Sequence, residues 1–313
     1  MKVLKEYLIG TGGWAYFKIP GLHPLIAYSR AFNFVEVNST FYQMPEMKQV
    51  EKWRKVVPAD FRFAVRANRT LTHTEKLQPT EDAIKTLGNM RQICETLKTD
   101  LLHLQTPTSF KLDHQSILGF HHLTSSLKLG KLRLALELRG ITSDKLPNEL
   151  IRVMQDNNMV HSTDLSKGEM PAYESDTLYT RLFGMGSHNR YQPTDEELEE
   201  IDTKISNTNS QRTVMSFHFV RMYKDAARMK IYKETGKFPK VTRSAGLLSL
   251  DEILREDSRF PASKQDLVAT QGWKIFDITE DARLRADQVL QKLPDKTYND
   301  INEVMNELRA IMR

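Results

Sequence analysis

Eight short apolar runs recur within the first 220 residues of this chain, and most of them end in polar residues two positions apart. In residues 34–38, Glu36 and Asn38 alternate with Val35 and Val37; in residues 133–139, Glu137 and Arg139 alternate with Leu136 and Leu138. A strand places residues i and i+2 on one face, so each run aims a carboxylate and a second polar group in one direction. Such groups are costly to bury unless they are paired or used. Repeated at the same end of many strands, the pattern predicts a shared polar cavity.

The runs predict strands at residues 7–10, 34–38, 61–66, 101–105, 133–139, 159–163, 178–183 and 213–219, with helical patterns at 22–32, 46–56, 80–97, 113–129, 145–157, 194–207 and 221–234. Thr194 and Glu197 have the spacing of a capping box, and Thr80 precedes two acids in a first turn. Strands alternating with helices of this length imply a parallel sheet. Eight units in about 235 residues suit a closed (β/α)8 TIM barrel better than an open doubly wound sheet, and only the barrel offers its polar strand ends a lumen. The expected organisation is a barrel over 1–235, a linker over 236–263 and a small all-α appendage over 264–313.

With 313 residues and 40% hydrophobic content, the chain has enough apolar material for one large domain and an appendage. Its longest apolar stretches fall far short of the roughly 18–20 residues of a membrane span. Its first ten residues lack a leader's apolar segment, and its single cysteine, Cys94, excludes an internal disulfide and reads as a packing residue. The expectation is a soluble cytoplasmic protein with no membrane partner. The net charge is +5, but residues 212–243 hold nine Lys/Arg against Asp225 and Glu234, a local +7. Arg221, Lys224 and Arg228 in that stretch are candidates for a nucleic-acid or phosphate surface, with a solvated helix face as the alternative.

In barrels of this kind the working residues sit at the carboxyl ends of the strands and in the loops that follow. That rule selects Glu36, Asn38, His73, Glu137 and Asp164 as candidate catalytic groups. It selects Trp14, Tyr42, Arg66, Gln105, Arg139, Arg181 and His218 as candidate substrate-binding groups. Glu36, Glu137, Asp164 and His218 are the candidates for a divalent ion (Mg, Mn or Zn), although no close HxH or HExxH spacing marks a metal site. Arginines suit anionic substrates because a guanidinium holds phosphate or carboxylate bidentately. Plainer readings stand beside these: a tight turn for the glycines at 10–13, an internal ion pair for Glu137 and Arg139, and hydrogen-bonded packing for His103.

Gly10-Thr-Gly-Gly-Trp-Ala-Tyr16, Phe34-Val-Glu-Val-Asn-Ser-Thr-Phe-Tyr42 with Pro45, Trp53 with Pro58, Thr72-His73, Leu104-Gln-Thr-Pro107 and Glu137-Leu-Arg139 follow one another in the order seen in the DUF72 (YecE-like) family. The resemblance covers about residues 7–230. It implies a (β/α)8 barrel with a likeness to metal-dependent endonuclease and sugar-isomerase barrels. The family usually has lysine where Arg66 stands, and an asparagine-rich pattern where this chain has Phe217-His-Phe-Val220. Residues 260–313 are similar to DUF2795, a small helical domain of unknown function; a protein partner recruited through that unit is a separate expectation.

The first expectation for function is a hydrolase acting on a phosphoester or nucleic-acid substrate at the barrel mouth, assisted by a metal ion. The alternatives are a non-catalytic nucleic-acid-binding or assembly protein, and a sugar or sugar-phosphate isomerase that would show proton exchange on a small sugar; the partners expected are nucleic acid or a phosphorylated small molecule.

Overall fold

The computed structural model describes residues 5–311, so the start of the N-terminal segment read for a leader lies outside the described residues. Eight parallel strands close on themselves: β1 (Glu6–Thr11), β2 (Phe34–Val37), β3 (Arg62–Arg66), β4 (Leu101–Gln105), β5 (Arg133–Glu137), β6 (Val160–Thr163), β7 (Thr177–Leu182) and β8 (Arg212–Phe217). β8 pairs back onto β1, with Glu6 opposite Arg212 and Thr11 opposite Phe217. Each expected strand is present, and the barrel is closed.

The helices are α1 (Pro24–Ala31), α2 (Ser39–Tyr42), α3 (Met47–Lys55), α4 (Glu81–Leu97), α5 (His114–Ser125), α6 (Asn148–Asp156), α7 (Asp195–Ser206) and α8 (Met222–Thr235). Local sequence starts them. Thr80 Oγ1 accepts the Ala83 amide at 3.1 Å, Asp113 and Ser116 form a capping box on α5, and Thr194 and Glu197 do the same before α7. No described helix is long and apolar enough to cross a membrane.

One buried residue from each strand, Leu8, Phe34, Ala64, Leu101, Ala135, Val160, Tyr179 and Val214, forms an apolar layer in the lumen. Two residues further along stand Gly10, Glu36, Arg66, His103, Glu137, Ser162, Arg181 and Ser216. The two-residue strand period stacks this mainly polar layer on the apolar one. Cys94 is buried in α4, where burial raises its thiol pKa; it packs as expected.

The chain divides into two compact units, Met1–Leu182 with Lys204–His218, and Phe183–Thr203 with Phe219–Arg313. The second unit differs from the expected linker and all-α appendage. Residues 236–263 contain α9 (Leu247–Arg255), whose Leu250, Ile253 and Leu254 have helical spacing and are buried in the unit's core. Then follow β9 (Ala262–Ser263), α10 (Lys264–Gln271), β10 (Ile275–Asp277), β11 (Arg283–Arg285), α11 (Asp287–Leu290), β12 (Thr297–Tyr298) and α12 (Ile301–Ile311). Residues 281–293 suit a helix by composition, yet their first part is a strand paired with β10. The strand period lets Arg283 and Arg285 meet Asp195 and Glu197, at 2.8 and 2.6 Å.

Gly10 marks how closely β1 meets its neighbour, for a Cβ there would stand 2.0 Å from the Phe34 carbonyl oxygen and 2.8 Å from Tyr28 Oη. Gly10→Ala is expected to cost at least about 2 kcal/mol, as overpacking against backbone does. Urea unfolding with unchanged stability would contradict this packing.

Candidate functional site: the mouth of the barrel

Arg181 is the centre of the polar layer and is 1% exposed. Its Nε donates to Glu36 Oε2 at 3.0 Å and its Nη2 to Glu36 Oε1 at 3.0 Å, a fork-on-fork pair. Its Nη1 donates to Glu137 Oε2 at 2.7 Å and to Gln105 Oε1 at 3.0 Å. Tyr179 Oη, one layer down on the same strand, donates to Glu36 Oε2 at 2.7 Å. Residues from β2, β4, β5 and β7 are thus tied to one guanidinium.

Burial alone would raise the pKa of Glu36, but the adjoining Arg181 charge holds the carboxyl far below the usual carboxylate range. Glu137 is lowered against the same penalty, again chiefly by Arg181. Burial followed by Arg181 lowers the pKa of both imidazoles that flank the layer, His103 and His218, the latter to about 3, so both are neutral near pH 7. His103 stacks on Tyr179 at 5.4 Å with Nε2 3.2 Å from Glu137 Oε2, and His218 Nε2 lies 3.0 Å from Ser216 Oγ. A Cβ at Gly12 would fall 2.3 Å from the His218 ring and 2.5 Å from the Asn38 amide, so glycine is what lets the first loop pass so near.

Above this floor the rim is cationic. Arg66 is half-buried over the Phe41 ring, 3.9 Å from its centroid, and bonds Asn38 Oδ1 at 3.4 Å. Its Nε is buried without a hydrogen-bond partner, and among the described residues it has no carboxylate within 4 Å. Burial, then Arg181, lowers its pKa to about 10, which leaves it charged near neutral pH. His73 lies in a π-helical turn, Thr70–Thr74, edge-on to the same Phe41 ring at 4.9 Å, with Nδ1 2.9 Å from Thr72 Oγ1. Burial and then Arg66, Arg69 and Arg139 lower its pKa. Arg139 is exposed, with Nε 3.3 Å from Glu137 Oε1.

The structure brings together Glu36, Asn38, Arg66, His73, Gln105, Glu137, Arg139, Arg181 and His218, but redistributes their roles. Glu36, expected to be catalytic, has no exposed surface and is fully engaged with Arg181 and Tyr179. Asp164 caps its own turn, with Oδ1 accepting the Ser166 amide at 3.0 Å. Trp14 packs edge-on to Trp53 at 5.4 Å, and Tyr42 is 72% exposed against Phe41.

The expected divalent-metal set does not fit. Arg181 is bonded to both Glu36 and Glu137, and among the described residues no three His, Cys, Asp or Glu side chains are grouped to hold an ion. Tyr179 and Ser216 were missed as parts of the floor. The i, i+2 rule applied backwards from Arg181 and His218 would have found both.

The expected basic surface is also corrected. Arg228 is 2% exposed and is bonded to Asp225 at 3.1 Å and Asp195 at 2.5 Å. Arg221 and Lys224 both pair with Glu256. Lys233 and Lys240 pair with Asp202 and Glu280. Much of the local +7 is met by acids distant in sequence, which a count along the segment leaves out.

Fold and mouth together define a TIM-barrel protein whose lumen is floored by a buried ion network. A sequence profile described as "Protein of unknown function DUF72" matches residues 8–232, and the chain belongs to that family. A solved DUF72 protein from Enterococcus faecalis is 18% identical, with a TM-score of 0.58 over 75% of this chain and 99% of its own. One from Thermotoga maritima is 21% identical, with a TM-score of 0.57 over 73% and 99%. The Escherichia coli K12 protein YecE is 35% identical over 78 residues, 24% of this chain and 29% of YecE. The chain thus matches less than a third of that relative's length.

Removing Arg181 would leave two carboxylates facing each other with little solvent. Arg181→Leu is expected to cost about 3–5 kcal/mol, read by chemical denaturation at pH 7; a cost under about 1 kcal/mol would contradict the network. Glu36 and Glu137 have folded pKa values below the ordinary 4.5. Their contribution to stability is therefore complete above that pH and is lost as pH falls below it. Glu36→Gln should lower stability at pH 7 and flatten its fall between pH 4.5 and 2; an unaltered pH profile would count against the pairing.

Proposed function

We propose that the barrel mouth binds a small phosphate- or carboxylate-bearing molecule through Arg66 and Arg139, and that His73 exchanges a proton with it. The observation that carries this reading is Arg66. A half-buried guanidinium with a buried, unbonded Nε and no carboxylate within ion-pairing distance is an expensive arrangement until an anion completes it. Its position over Phe41 holds the guanidinium plane in place, which favours a planar or tetrahedral oxyanion.

The chemistry available beside that anion is acid–base rather than metal-assisted. His73 is kept neutral by burial and by Arg66, Arg69 and Arg139, so it is poised to accept a proton. An anion that compensates those arginines raises the imidazole pKa and strengthens it as a base. The Glu36–Arg181–Glu137 floor fixes the strands that carry the rim and takes no proton itself, because both carboxyls titrate far below neutral pH. Of the functions expected from sequence, this reading favours proton transfer on a phosphorylated small molecule, the isomerase alternative, over hydrolysis at a metal centre.

Histidine side-chain NMR on the full chain tests the binding half, with inorganic phosphate and acetate as separate probes. Phosphate or acetate should raise the His73 pKa, and Arg66→Gln should weaken the effective anion about tenfold, as loss of a charge-assisted pair does. An unmoved His73 titration, or equal affinity in Arg66→Gln, would refute it. For the reaction, sugar phosphates incubated in D2O should gain solvent deuterium with the native protein and not with His73→Asn. Equal exchange with that variant removes His73 from the chemistry.

A further inference from the structure

Among the described residues, the β6–β7 connection is the one between consecutive barrel strands that contains no α-helix. It has a single 3-10 turn, Leu165–Lys167, and then an irregular stretch to Asp176. Where a covering helix would pack against the outer faces of β6 and β7, there is a cavity of about 330 Å³. Met170, Pro171, Ala172, Tyr173 and Leu178 form an apolar wall, and the rest of the lining, Lys204 and Asn207 included, is polar. That volume is within the range of small-molecule sites.

His161 lines this cavity. Val160 belongs to the lumen layer, so the strand alternation turns His161 to the outer face, where Val, Ile or Leu would pack at no polar cost. It is only 3% exposed. Its Nδ1 accepts the Ala172 amide hydrogen at 3.0 Å. A backbone N–H can only donate, so Nδ1 is the acceptor and the neutral ring carries its proton on Nε2. That N–H has no partner among the described residues. Burial lowers the ring's pKa to about 4, so the group offers a hydrogen bond and not a charge.

We propose that this cavity is a second binding site, for a small, uncharged, mainly apolar molecule whose carbonyl oxygen accepts from His161 Nε2–H. The apolar wall takes the body of the ligand, and the imidazole fixes its one polar atom. Leu178 faces the cavity while Tyr179 and Arg181, on the same strand, face the lumen. An occupant therefore bears on the strand that carries the mouth's central guanidinium.

The test uses butyrophenone and butylbenzene, which share a skeleton and differ by the carbonyl. In the full-length protein, butyrophenone should shift the His161 Nε2–H resonance saturably, and butylbenzene should occupy the cavity without that shift. The ratio of butyrophenone to butylbenzene affinity should fall about threefold to tenfold in His161→Leu, the range of one neutral hydrogen bond. Ala172→Phe, which fills the space, should abolish binding of both. A ratio unchanged in His161→Leu, or no saturable shift at His161, would overturn the proposal. Should either variant fail to fold, the resonance in the native protein decides by itself.

Discussion

Arg181 carries a full charge into a part of the lumen with almost no solvent, and the upper half of the barrel depends on how that charge is compensated. An isolated buried guanidinium would cost many kcal/mol, and a single carboxylate would leave part of its fork unbonded. Here Glu36 takes one edge bidentately, while Glu137 and Gln105 take Nη1. Tyr179 satisfies the remaining demand of Glu36 from below. The network links strands far apart in sequence, so the floor of the mouth is set once the barrel closes.

That compensation also decides what the mouth can do. Carboxylates engaged this fully, and ionised down to strongly acid pH, are poor general bases and are not arranged around a metal ion. The proposed chemistry therefore rests one layer up, on Arg66 and His73. Arg66 stands on β3 beside the network, yet among the described residues its guanidinium donates only one long hydrogen bond, to Asn38 Oδ1. His73 shares the Phe41 ring with it and stays neutral. A closed ionic floor beneath an Arg66 guanidinium with no carboxylate partner within 4 Å among the described residues is an arrangement suited to receiving an anion.

The barrel was legible in the sequence because its strands are short and its periodicity strict. Residues 34–38 and 133–139 each display the alternation that the lumen demands, and caps such as Thr80 and Thr194 fix helix starts locally. Long-range pairing was not legible. Nothing near Arg228 or Lys233 in sequence announces Asp195 or Asp202, so a stretch of nine basic residues read as a surface when much of it is paired. The same limit hid β11, whose residues have helical propensity but whose arginines need a strand period to meet Asp195 and Glu197. For the mouth, the strand-end rule singled out Glu36, Gln105, Glu137 and Arg181 but not Tyr179 or Ser216, and could not say which carboxylates were already spoken for.

The central question is whether Arg66, above a floor whose charges are already paired, takes an anion. Crystals soaked with selenate, whose selenium scatters anomalously, would locate an anion directly. An anomalous peak is expected within hydrogen-bonding distance of the Arg66 guanidinium, with Arg181 still forked on Glu36. A peak that draws Arg181 away from Glu36, or a bare Arg66 at saturating selenate, would contradict it.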